Sequence, residues 1–186
     1  GVYAYQYAMK PEILGSSVNA ILSADSGRDE TFKVHFTFTL RNVGKSKTHH
    51  GTLYTAFVNW TGGNNAIVIR PEDFIESPIF NLTPDERSTF EVDKYIRVDD
   101  FVRLSNAAGG IYCAVLCRWQ GDNWVYWLRT FENNVLLFMK PGINSREMKF
   151  DIRVVRQIYS TDWLQPGRAK DRWGHLLKLL SVKEII

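Results

Sequence analysis

The sequence predicts an all-β domain, a two-layer antiparallel β-sandwich over residues 1–160, with an amphipathic helix in residues 161–186 packed on the same domain. Three observations carry this. Phe32, Val34, Phe36, Phe38 and Leu40 alternate without a break against Lys33, His35, Thr37, Thr39 and Arg41. In a strand that pattern puts five large apolar groups on one face and polar groups on the other. Candidate strands, about seven to nine of them, recur with turn signals every 8 to 12 residues or so. Residues 110–120, GIYCAVLCRWQ, are apolar on both faces, as a central or doubly covered strand requires.

Taken in order, residues 1–15 carry no clear period, and 18–24 form a first strand ended by Asp25-Ser26-Gly27. The alternating strand 31–41 stops at Asn42-Val43-Gly44-Lys45, where Asn and Gly supply the backbone freedom of a turn. A loop with two Lys and two His leads to strand 52–60, and Thr61 to Asn65 is a Gly-Asn turn before a short strand at 66–69. Residues 71–84 are irregular, with two prolines. Residues 88–98 alternate again. Asp99-Asp100 and residues 105–110 read as loops flanking a short apolar piece, 101–104.

A hairpin follows, from 110–120 to 124–131, turning around Gln120-Gly121-Asp122-Asn123. Strands at 135–140 and 148–155 close the series, divided by Pro141-Gly142. After Gln165-Pro166-Gly167, the spacing of Ala169, Trp173, Leu176, Leu177 and Leu180 makes a stripe of helical period.

The chain has 186 residues, enough for one sizeable core. Its hydrophobic share of 45% and charged share of 23% are those of an ordinary globular protein, and 13% aromatics suit wide sheet faces. The net charge of +3 is spread along the chain, so nucleic acid is not an expected partner. No run approaches the roughly 18 apolar residues of a membrane helix. The chain opens on Gly1 with its first methionine at Met9, the pattern of a processed or excised chain.

FTFTLRNVGKS, the loop NLTPDE and the hairpin GIYCAVLCRWQGDNWVYWLRTF resemble the Ig-like β-sandwich domains found outside the membrane in bacterial envelope proteins. The resemblance covers residues 20–131. It implies an Ig-like sandwich and an extracytoplasmic, membrane-anchored setting, and it brings no catalytic residue. The Cys…Trp…Cys spacing of antibody domains is absent.

Neither a metal nor another cofactor is expected. Cys113 and Cys117, four apart on one face of a strand, lie ~13 Å from each other, beyond the reach of about 4.4 to 6.8 Å for a disulfide. Both read as buried free thiols. His49-His50, with His35, is the one histidine cluster, and adjacent residues of an extended segment diverge too far to ligate one ion. No G-x-S-x-G elbow occurs, Asp85-Glu86 and Asp99-Asp100 read as turn residues, and no catalytic residue is assigned. The sequons at Asn59 and Asn81 are chance matches.

The expected function is a non-catalytic binding or scaffolding module with a protein partner. The competing readings are a carbohydrate-binding module and a jelly-roll coat protein, and the latter lacks the Arg-rich arm that packaged nucleic acid would need. Trp60 and Trp124 adjoin turns, where a ring can stack on a sugar or anchor a partner; they are the candidate ligand-binding residues. Trp119 and Trp127 are expected to fill the core. The basic flanks of the C-terminal helix would also suit a membrane surface, but packing on its own domain is the expectation.

Overall fold

The computed structural model describes residues 12–24, 30–60, 66–68, 75–76, 80–121, 129–142 and 148–163. They form strands β1 (Ile13–Ala24), β2 (Thr31–Asn42), β3 (Thr48–Trp60), β4 (Ala66–Val68), β5 (Ile75–Glu76) and β6 (Arg87–Arg97), then helix α1 (Val98–Ala108). Strands β7 (Ile111–Gly121), β8 (Arg129–Pro141) and β9 (Met148–Trp163) complete the described elements. The fold is all-β, and every pairing is antiparallel.

One sheet runs in the order β4-β3-β7-β8-β9-β1-β2-β6, with β5 on the side of β3. The expectation of two separate layers is thereby refined: β9 belongs to both halves and makes them continuous. A bridge from Gly51 in β3 to Phe80, just ahead of β6, brings the far ends together, and the sheet curls almost into a barrel.

The predicted alternation of β2 places Val34, Phe36, Phe38 and Leu40 inside. Phe36 stacks on Phe38 with centroids 5.4 Å apart and reaches Phe57 of β3 at 6.1 Å, so one ring joins the two halves of the core. Burying each such side chain contributes about 1.5 to 3 kcal/mol. β7 is buried on both faces, as its sequence requires: Cys113, Val115, Cys117 and Trp119 face the main core, while Ala114 and Leu116 belong to a second apolar cluster with Tyr54, Ala56, Val58 and Leu136. Both cysteines are free and buried.

Besides the earlier starts of β1 at Ile13 and β3 at Thr48 and the short β5 within 71–84, three elements depart from the sequence expectation. Residues 98–108, read as loops around an apolar piece, form α1. Asp99 and Asp100 occupy its first turn, Arg103 pairs with Asp100 at 3.0 Å, and Gly109 ends it at φ 72° while donating to Ser105 O at 2.7 Å. Acidic groups favour a helix start and a left-handed Gly its end. Phe101 and Leu104, three apart, are its buried face, with Phe101 held between Phe32 (5.3 Å) and Phe150 (6.3 Å). Second, β8 runs unbroken through Glu132-Asn133-Asn134, where the sequence suggested an interruption. Third, β9 continues to Trp163, beyond the expected boundary at residue 160.

The turn after β2 is closed by Asn42, fully buried, whose Nδ2 donates to Ser46 O (2.8 Å) and Leu82 O (2.9 Å) while its Oδ1 accepts from Gly44 N at 3.0 Å. A buried amide so satisfied is a structural pin.

Candidate functional site

Pairing between β1 and β9 is confined to Ile21 with Lys149 and Leu22 with Met148. Along its other edge, β9 pairs with β8 from Phe150 opposite Pro141 to Trp163 opposite Arg129. Residues 13–20 of β1 therefore have no strand partner on the side away from β2 among the described residues. The place beside them is the one that β9 gives up.

Two bulges shape this seam. In β1 the register shifts between Gly15 and Ser17, and across β8 and β9 it shifts between Leu136 and Leu137. An extra residue bends a strand and increases its twist, and both irregularities lie along the stretch where β1 and β9 are no longer paired. The inner face of β9 then overhangs the seam uncovered, with Val154 and Tyr159 each 55% exposed.

Behind the seam lies an open cavity of about 180 Å³. Leu53, Val115, Cys117 and Leu137 line it from β3, β7 and β8, and Phe38 and Leu40 from β2. Ser17, Val18, Val154 and Gln157 stand where it meets the seam. Among the lining residues there is no Asp, Glu, Lys, Arg or His. Burial pushes the Cys113 thiol up to about 12, against a smaller opposing pull from Lys94, and pushes Cys117 up as well. Of the two only Cys117 lines the cavity, and a protonated thiol in that uncharged wall is a packing group and a poor nucleophile.

One end of the seam is tied by side chains. Asn133 Nδ2 donates to Ile13 O at 3.4 Å, and Gln157 Nε2 donates to Asn133 Oδ1 at 2.9 Å and to Tyr159 Oη at 2.7 Å. The other end is tied by the two backbone pairs at Ile21 and Leu22. The site can thus accept an extended backbone along β1 and an uncharged apolar group behind it.

The residues singled out from sequence lie elsewhere. Trp60 ends β3 opposite Ala66, seven residues and about 23 Å along the strand from Leu53; the placement of its ring, like the whole of Trp124 and Trp127, lies outside the described residues. Trp119 does fill the core, stacked on Phe131 at 6.1 Å. His35 pairs with Asp93 and Glu91 of β6, while the rings of His49 and His50 lie 4.0 Å apart and do not diverge as expected. Among the described residues no three His, Cys, Asp or Glu side chains gather as a metal site would need. None of the described helices is long and apolar enough to cross a membrane.

Sequence reasoning missed Asn133, Gln157 and Cys117 as neighbours, because only strand order brings them together. Lys94 was also missed, though its signal is plain: it occupies the inward phase of β6 between Val92 and Ile96 and is 1% exposed.

No protein-family model matches this chain, and no curated protein matches it. Among solved structures, a crystal structure of a protein from Archaeoglobus fulgidus is similar over 82% of this chain and 98% of that one, at 12% identity and a TM-score of 0.31. A likeness at that level carries no argument about fold or activity.

Proposed function

We propose that this protein is a non-catalytic binding module that takes up an extended segment of a protein partner by strand addition at the open edge of β1. The observation that carries the reading is that β9 pairs with β1 for only two residues, which leaves residues 13–20, among the described residues, with no strand on the side away from β2, beside an apolar cavity and with the carbonyl of Ile13 held by Asn133. An unpaired edge is a template for main-chain hydrogen bonds, and pockets for alternate side chains supply selectivity. The overhanging Val154 and Tyr159 give an added strand an apolar surface to cover. The Ig-like kinship and the extracytoplasmic, membrane-anchored setting belong to this proposal too, and rest on the sequence resemblance.

The test is selection of binders from a random nine-residue peptide display library, followed by amide hydrogen exchange on the complex. Selected peptides should slow exchange within residues 13–20, and Val154→Asp and Tyr159→Asp should each weaken binding without unfolding the protein. Binders that leave those amides unprotected would refute strand addition.

A further inference from the structure

We infer that the partner segment runs antiparallel to β1, begins with an acidic residue and ends with a basic one, and presents uncharged apolar side chains between them, one of which fills the cavity. The inference rests on the strand-addition reading and goes on to the partner's chemistry.

Charge complementarity supports each part. The cavity lining carries no ionisable side chain apart from the protonated Cys117. A charged group inserted there would lose its water with no counter-charge to replace it, so the inserted residues are uncharged. At about 180 Å³ the space is close to the roughly 150 Å³ apolar cavity that accepts benzene. That matches one side chain the size of Leu or Phe and falls below the 300 Å³ or so at which pockets for larger ligands begin.

The ends of the open edge differ in sign. Exposed Lys149 stands beside Ile21, and exposed Glu12 directly precedes Ile13. The strand position beside β1 is already occupied antiparallel by Met148 and Lys149. A segment continuing that position in the same sense has its N-terminus at Lys149 and its C-terminus at Glu12. An acid first and a base last therefore meet opposite charges, and the reverse order meets like charges at both ends.

The probes are two synthetic nine-residue peptides of equal composition, with alternating Thr and Leu between a leading Glu and a closing Lys, or between a leading Lys and a closing Glu. Both carry blocked termini. A third replaces the central Leu of the first with Asp, and benzene serves as a small apolar control. Binding is followed by titration, by hydrogen exchange at residues 13–20, and by the rate of Cys117 alkylation mapped by mass spectrometry. The Glu-first peptide should bind about tenfold more tightly than the Lys-first peptide in low salt, a difference that shrinks in high salt. It should also slow Cys117 alkylation at least about tenfold, and the Asp peptide should do neither.

Equal binding by both orders, with the edge amides protected, would overturn the inferred polarity and leave strand addition standing. Binding by the Asp peptide as tight as by its parent would overturn the filled cavity. Protection of Cys117 by benzene while no peptide protects the edge would overturn both readings in favour of a small apolar ligand.

Discussion

Gln157 on β9 donates to Asn133 on β8 at 2.9 Å, and through Asn133 it reaches the carbonyl of Ile13 at the start of β1. This relay ties together three strands at the end of the seam where backbone pairing has stopped. Asn133 is 6% exposed, so neither bond is readily replaced by water. Asn133→Ala should cost roughly 1 to 3 kcal/mol, the range for leaving buried polar groups unsatisfied. It should also speed alkylation of Cys117 by loosening the wall beside it. Chemical denaturation and thiol mapping of the variant check both effects, and an unchanged Cys117 rate would show that the relay does not hold the seam.

Phe36 is the ring that meets both Phe38 on its own strand and Phe57 across the core. It is fully buried in the alternating strand that the sequence displays most clearly. Phe36→Ala should cost about 3 to 5 kcal/mol, the span for a large core aromatic. Denaturant unfolding measures it. A loss below about 1 kcal/mol would mean that β2 and β3 are not coupled through this ring.

What was legible in the sequence and what was not divide along physical lines. Period-2 alternation reports which face a side chain occupies, so the inward set of β2 and the double burial of β7 could be read directly. Strand order is non-local and leaves no local pattern. The seam arises because β9, paired along its other edge with β8, pairs with β1 for only two residues, with bulges at Gly15/Ser17 and Leu136/Leu137, none of which a periodicity marks. Helix α1 was missed because residues 101–104 were read as a short apolar piece between loops, although Val98, Phe101, Leu104 and Ala108 keep helical spacing and Asp99, Asp100 and Gly109 frame it in the order a helix uses. Lys94 broke the apolar phase of β6 in plain view, and a lysine in such a phase is a reason to look inward.

The two thiols make a prediction about alkaline conditions. Burial raises Cys113 from 9.0 to about 12 and raises Cys117 in the same direction. An acid whose folded pKa lies above its unfolded value keeps its proton longer in the folded state. Its contribution is full below pH 9 and is lost progressively as the pH rises toward the folded value. Each thiol should therefore take away up to about 1.4 kcal/mol per pH unit in that window. Comparing urea midpoints of the parent and of Cys113→Ala between pH 8 and pH 11 isolates the effect from Lys and Tyr titration. Parallel curves would mean that the Cys113 thiol is not protected from ionising in the folded protein.

The outer face of β3, β7 and β8 leads to the last prediction. Ala114 and Leu136 there are 0% exposed, and Val58 and Leu116 nearly so, although they point away from the main core. Among the described residues no helix or strand lies across them. β9 ends at Trp163 opposite Arg129, so the 23 residues that follow leave from an edge of this same half of the sheet. The expected helical stripe of Ala169, Trp173, Leu176, Leu177 and Leu180 is apolar, as a cover for that face must be. Those residues lie outside the described ones, and the proposed packing is open to direct test. Leu177→Ala should cost roughly 2 to 5 kcal/mol, as for a core leucine. Truncation after Gly167 should expose an apolar sheet face and yield a protein that aggregates, since contiguous exposed patches of that kind drive association. A truncated chain that stays monomeric and melts at the parent's temperature, while only the full chain sediments with anionic vesicles, would instead assign the basic flanks of this segment to a membrane surface.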